Sequence, residues 1–454
     1  MKLLFLLFSL FCLCSCQSPF LDVKPTKDID LLEDLDDLEN LLENSYVFGN
    51  TGSLKIAACD DYYLLSRNEW DALPTMTEKN VYVWNKDTYG GETNISDWNE
   101  QYKAIFYANA ILDKLSDLEV SPVLSKARYI KGEALFHRAY AYFDLAIGFC
   151  ASFDVNSLND GPGLPLRTSA NIDRIEPTSS LKATYKFIED DLIQSSHLLK
   201  GKPFLVNGRN RPSLEASFAM LARVYLAMGK YERALLYADS CLQLYDTLLD
   251  YNHICKDCLN PFQENLDEVI FSSTNALSHA NLTSVGERLW MTIDTTLIQS
   301  YKPNDLRLKT YYVKNRNGNY NKKRGYIKSG SYDFSGLATD EIYLIRAECY
   351  ARNGQYELAK NDLNTLLLSR FESGSHYKIE DYPQNELLEL ILNERRKSLV
   401  WRGLRWSDLK RLGLEGRYAL LKRKLDNEYF ELDLNQTSYV FPTPDNEIAL
   451  SKTN

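Results

Sequence analysis

Histidine is scarce: five residues in 454, so the chain has little of the side chain that most often shuttles protons or binds metal near neutral pH. Enzyme signatures are missing too. There is no GxSxG elbow, no HExxH, no GxxxxGKS/T phosphate loop and no GxGxxG placed after a strand. Positive charge is in deficit, with 52 Lys and Arg against 62 Asp and Glu; the formal net charge of -10 opposes general affinity for phosphate backbones and removes nucleic acid as a partner. The long apolar run near the start, residues 3–15, stops short of the about 20 residues a membrane-spanning helix needs. What remains is an ordinary globular composition, 44% hydrophobic and 25% charged, which excludes disorder, collagen and a small disulfide scaffold. Thirty tyrosines supply flat amphipathic rings, and that skew against five histidines favours binding over catalysis.

The first segment reads as an address. Lys2 precedes the uncharged run, as in a secretory signal, and the run ends in Leu13-Cys14-Ser15-Cys16. This resembles a bacterial lipobox: Leu three positions before the thiol, a small residue directly before it, and Cys14 where Ala or Ser is more usual. Cleavage would remove residues 1–15 and leave Cys16 as the acylated first residue; the alternative is secretion without lipid. Among the later cysteines, Cys150, Cys241 and Cys349 sit in apolar helical contexts and are expected to be small buried hydrophobes. Cys255 and Cys258 form a CxxC beside His253, with no fourth ligand at zinc spacing, so a local disulfide or two idle thiols is expected there and no metal.

An internal repeat organises the chain. Ala222, Tyr225, Gly229, Tyr231, Glu232 and Ala234 recur 125 residues later as Ala347, Tyr350, Gly354, Tyr356, Glu357 and Ala359. Small residue, large ring and turn glycine at these spacings are those of a tetratricopeptide hairpin, in which Ala lets two helices approach and Gly permits the turn. The residues 101–118 and 127–149 also carry helical period. Because 125 is not a multiple of roughly 34 residues, something is inserted between the two best units. Residues 245–336 lose the helical period and crowd Asn, Gly, Lys and Tyr together, and residues 46–98 are irregular and aromatic in the same way. Aromatics embedded in helical motifs, such as Trp98, Tyr142, Tyr225 and Trp406, are assigned to the core. Trp70, Trp84, Trp290 and Tyr320 in the irregular regions are the candidate ligand-stacking residues, where the two regions meet.

Other eye-catching residues are read as structural. Asp60-Asp61 is the most tempting carboxylate pair for glycoside hydrolysis, but is expected to be a solvated or capping pair. His137 is expected to pack on a helix. Glu394, Arg395, Arg396, Arg402 and Arg405, interleaved with Trp401 and Trp406, are expected to form ion pairs between helices.

Taken together, SCQSPFLDVKPTKD, AACDDYY, WNEQYKAIFYANAIL, KGEALFHRAYAYFDLAIGF, ERRKSLVWRGLRWSDLKRL and YVFPTPDNEI, with the two repeat segments between them, resemble the SusD/RagB family of outer-membrane nutrient-uptake lipoproteins from the signal to the tail. Ser398 stands where an acidic residue is common, and the terminal SKTN lacks the usual family ending. The resemblance implies a mainly α fold of tetratricopeptide-like hairpins packed against a less regular, loop-rich ligand-binding lobe. It implies a signal peptide at 1–15, an N-terminal region at 16–245 and a C-terminal region at 246–454. It further implies a lipid anchor on Cys16, a surface-exposed outer-membrane location, and a SusC-like TonB-dependent transporter as partner. The function so implied is capture of oligosaccharides without cleavage and with no cofactor; peptide capture and, third, glycoside hydrolysis are the alternatives.

Overall fold

The computed structural model describes residues 32–118, 124–205, 209–275, 291–327, 333–375, 379, 382–418, 420–434 and 439–452. Ten of its helices carry the architecture: α1 Leu35–Leu42, α2 Ser96–Asp117, α3 Ser125–Phe149, α4 Leu181–Leu198, α5 Leu214–Ala227, α6 Tyr231–Leu244, α7 Thr339–Arg352, α8 Tyr356–Leu368, α9 Gln384–Ser398 and α10 Arg405–Gly413. From α2 to α8 each helix packs on the next, and α9 closes on α7. α3 is the central member, buried along nearly its whole length from Ile130 to Phe149, which is why its apolar residues do not confine themselves to one stripe.

The two repeat units fold as equivalent hairpins. In α5–α6, Gly229 has φ +70° and its N–H donates to the Leu226 carbonyl, while the Lys230 N–H donates to the Tyr225 carbonyl. In α7–α8, Gly354 has φ +73°, its N–H reaches the Ala351 carbonyl, and the Gln355 N–H reaches the Tyr350 carbonyl. Each is a Schellman ending, in which a left-handed residue satisfies the last carbonyls of the first helix and reverses the chain into the second. A side chain at either glycine would find space, so the backbone conformation rather than crowding demands glycine there. Ala222, Ala234, Ala347 and Ala359 are all buried in the cores these hairpins form.

The 125-residue offset has a simple origin. α6 and α7 are neighbours in the stack although residues 245–338 separate them in sequence, so the insert loops out between two packed helices. Two of its segments that lack a clear helical period nevertheless contain short helices, Thr295–Ser300 and Leu306–Tyr311, each started by an aspartate, Asp294 or Asp305, whose side chain accepts from the first turn. Residues 46–98 likewise hold helices at Leu54–Ala58, Arg67–Asp71 and Met76–Tyr82. The two irregular regions meet through strands: β1 Tyr62–Leu64 from the first pairs antiparallel with β2 Met291–Ile293 from the second.

Buried ion pairs, together with apolar contact, tie the loops to the stack. Arg402 donates both terminal nitrogens to Asp340 at 2.7 and 2.8 Å, and Arg411 does the same to Glu348 at 2.6 and 2.8 Å. Arg395 binds Asp408, and Arg223 binds Glu341. Arg307, fully buried, donates to Asp305, Glu394 and the Ser398 hydroxyl; the serine at the position where an acid is common therefore supplies an acceptor, while Asp305 and Glu394 balance the charge. The arginine-rich segment thus forms ion pairs, as its sequence suggests.

Asp60 and Asp61 do differ from expectation. They are ion-paired rather than capping: Asp60, partly exposed, accepts from Arg405 at 2.7 and 2.8 Å, and Asp61, which is buried, accepts from Arg396 at 3.2 Å. Burial alone would raise the Asp60 pKa, but Arg405 and Arg396 hold it below the ordinary carboxylate range. His137 is packed as expected, with its ring 4.4 Å from that of Phe48. Cys150, Cys241 and Cys349 are buried free thiols, and Cys255 and Cys258 form a disulfide. Among the described residues no helix is long and apolar enough to cross a membrane.

Candidate binding site

A β-hairpin in the insert builds one wall of an open cleft. β3 Tyr312–Lys314 pairs antiparallel with β4 Tyr320–Lys322 in the register Tyr312 to Lys322, Val313 to Asn321 and Lys314 to Tyr320. The sequence between them, Asn315-Arg316-Asn317-Gly318-Asn319, is turn chemistry: the Asn315 side-chain oxygen accepts from the Asn317 and Asn319 N–H groups, and Gly318 takes φ +82°. Direct opposition puts Lys314 and Tyr320 on one face, with the Lys314 ammonium 5.2 Å from the Tyr320 ring centre. The other face is anchored inward, where the Asn321 amide donates to the Met291 carbonyl at 3.0 Å. Thr292 adds a hydroxyl bond to the Tyr320 carbonyl at 3.1 Å, so the hairpin is fixed to β2 and through it to β1.

The rim also includes a small loop closed by the Cys255–Cys258 disulfide, with Lys256 and Asp257 between the two cysteines. Lys323 holds this loop in place. It is mostly buried, and its ammonium donates to the backbone carbonyls of Lys256 and Lys309, the latter at 2.8 Å. Leu259, Leu308 and Val313 provide apolar wall between the rims, and Tyr312 lies at the base with its hydroxyl 3.2 Å from that of Tyr301. The cleft is open to solvent and its volume is about 680 Å³, within the range of small-molecule sites, which hold several hundred cubic ångströms and combine apolar wall with a few polar groups. The other cavities described offer about 20 Å³ or less, room for a water molecule and no more.

The four residues singled out from sequence fall in different places. Tyr320 is half-buried in the cleft wall. Trp70 donates its indole N–H to the Lys79 carbonyl at 2.8 Å and lies 4.2 Å beneath the Arg67 guanidinium, which itself pairs with Glu428. Trp84, at φ 54°, donates to the Ala58 carbonyl at 2.9 Å and is covered by Arg423 at 4.7 Å. Both tryptophans thereby brace the hairpin of β5 Leu420–Leu425 and β6 Glu428–Asp433 against the first irregular region, and neither lines the cleft. Trp290 lies outside the described residues, as does Cys16. Many other aromatics of the irregular regions, including Tyr62, Tyr82, Tyr311 and Tyr326, are core. Sequence reasoning missed Lys256, Lys309 and Lys314: the crowding of lysine with tyrosine was visible, but a lone lysine in a loop carries no spacing signal and reads as solvated surface.

Comparisons place this fold among known proteins. A family model described as "Starch-binding associating with outer membrane" matches residues 19–226, and one described as "SusD family" matches residues 271–453. Solved structures share the fold over nearly the whole length. A SusD superfamily protein from Bacteroides thetaiotaomicron is 20% identical, with TM-score 0.72, 92% of this chain and 98% of that chain covered. One from Bacteroides fragilis is 22% identical, with TM-score 0.72 and coverage of 93% and 99%. A SusD-like carbohydrate binding protein from Bacteroides vulgatus is 20% identical, with TM-score 0.66 and coverage of 92% and 97%. No curated protein matches the sequence.

Proposed function

This chain belongs to the SusD/RagB family, and from that premise we propose that it captures oligosaccharides at the cell surface and delivers them, uncleaved, to a SusC-like TonB-dependent transporter in the outer membrane. The observation that carries the reading is the cleft of about 680 Å³ with Tyr320 in its wall. A sugar ring presents an apolar C–H face and a rim of hydroxyls; a half-exposed tyrosine beside aliphatic wall meets the first, and the flanking lysines and Asp257 meet the second. Both carboxylates of the Asp60-Asp61 pair are engaged by arginines and neither lines the cleft, which supports binding over hydrolysis. Attachment through a lipid on Cys16 follows from the Leu13-Cys14-Ser15-Cys16 box and accords with the family description of association with the outer membrane.

The deciding experiment is a glycan-array screen of the full chain in parallel with a peptide-library pull-down. Capture of a glycan, lost on Tyr320→Ala with folding intact, is the expected result. A peptide retained in place of any glycan would favour the RagB-like alternative of peptide capture.

A further inference from the structure

We infer that the cleft takes acidic oligosaccharides, bearing carboxylate or sulfate groups, in preference to neutral ones. The inference rests on the glycan-capture reading and names the ligand class within it. The wall carries Lys256, Lys309, Lys314 and Lys323 against one carboxylate, Asp257, in a chain whose net charge is -10. Positive charge collected in a concavity of an otherwise acidic protein focuses field on the site and draws anions to it.

The lysines divide by what already engages them. Lys323 is committed to backbone carbonyls and serves to position the rim. Lys309 has a loose partner, Glu372 at 3.6 Å, with both side chains largely exposed. Lys256 and Lys314 have no carboxylate partner among the described residues. Lys314 stands over the same ring, Tyr320, that offers the stacking surface. A sugar held in the cleft against the part of that ring the ammonium leaves open would bring an acidic substituent within reach of Lys314, with Lys256 in the same lining. A neutral sugar would gain the stacking contact but leave these charges with only water, so the difference in affinity between the two classes is electrostatic.

The test is titration calorimetry on the full chain in detergent with four probes of similar length: a galacturonic acid hexamer, a chondroitin sulfate hexamer, maltohexaose and hexaglutamate. The expected result is that an acidic sugar binds at least tenfold more tightly than maltohexaose in about 0.05 M salt and loses most of that margin in about 0.5 M salt, where exposed charges are screened. Binding of the galacturonic acid hexamer shows that carboxylate suffices, whereas binding of the chondroitin sulfate hexamer alone, which bears uronate as well, shows that sulfate is required. Lys256→Gln and Lys314→Gln should each weaken that binding by about fivefold, the upper range for an exposed pair, with unchanged melting temperature, and Lys314→Arg should retain most of it. Failure of both acidic sugars to outbind maltohexaose, or indifference of their binding to the Gln variants, overturns the inference while leaving glycan capture standing. Preference for hexaglutamate over every sugar overturns both.

Discussion

At the scale of single residues, His137 illustrates how burial turns into a pH response. It is buried against Phe48 and Phe271, and neither ring nitrogen has a hydrogen-bond partner. Burial, assisted by the nearby charges of Arg211 and Lys202, pushes its pKa down to about 3. The unfolded chain takes up a proton on this ring below about pH 6.5 while the folded chain does not, so its contribution to stability is intact above that pH and drains as pH falls toward 3, by about 1.4 kcal/mol per unit. His137→Phe, which preserves the stack, should flatten that acid limb in urea melts taken between pH 6.5 and 4. A limb unchanged in the variant would assign it to other groups. Tyr320 is a residue of the other kind, half-exposed, resting on the margin of the core and carrying the Lys314 ammonium over its ring. Tyr320→Ala should cost at least about 2 kcal/mol of ligand binding, near thirtyfold in affinity, with little change in melting. Trp84→Ala should show the opposite pattern: its indole bond to Ala58 and its cover by Arg423 are structural, so melting should drop by an amount equivalent to about 3 kcal/mol.

At the scale of elements, the paired hairpins and the disulfide rim do different work. Ala234 and Ala359 sit with no accessible surface where two helices approach. Ala234→Leu or Ala359→Leu should therefore destabilise by about 1 to 3 kcal/mol through overpacking, read as a fall in urea midpoint. The rim behaves otherwise. Cys255–Cys258 closes a loop with two intervening residues, too short to restrain much of the unfolded chain, yet it sets where Lys256 stands. Replacing both cysteines with serine should leave melting nearly unchanged and weaken capture of the ligand; equal affinity in calorimetry would show that Lys323 alone suffices to place the rim.

At the scale of the whole molecule, long-range ion pairs reinforce contacts between parts that share one apolar core. Arg402, in the turn before α10, reaches Asp340 in the first turn of α7, both without appreciable solvent contact, and Tyr326 of the insert lies 4.2 Å from the same guanidinium. Asp340→Leu would strand a buried cation and should cost about 3 to 5 kcal/mol, whereas removing both charges with Arg402→Met should recover most of the loss. Attachment to the membrane is also a property of the whole chain. Cys16→Ala should release the protein from the outer-membrane fraction in the absence of its transporter, since lipid on that residue would be the anchor; retention in high salt would refute it.

The repeat hairpins were legible from residue types alone because their constraints are local: a left-handed turn asks for glycine, and a close helix contact asks for alanine, at fixed spacing. The same holds for Cys255 and Cys258, three residues apart, and for the resemblance that runs through the helical motifs. Where α6 meets α7, which loop aromatics fill the core, and which lysines converge were decided only by tertiary structure. Tyr82, Trp84 and Tyr320 belong to the same residue class in similar irregular context, yet one is core, one braces a distant hairpin and one lines the cleft. The difference lies in partners such as Arg423 and Thr292, hundreds or tens of residues away, whose approach depends on the long-range packing of the fold rather than on any spacing near the ring itself.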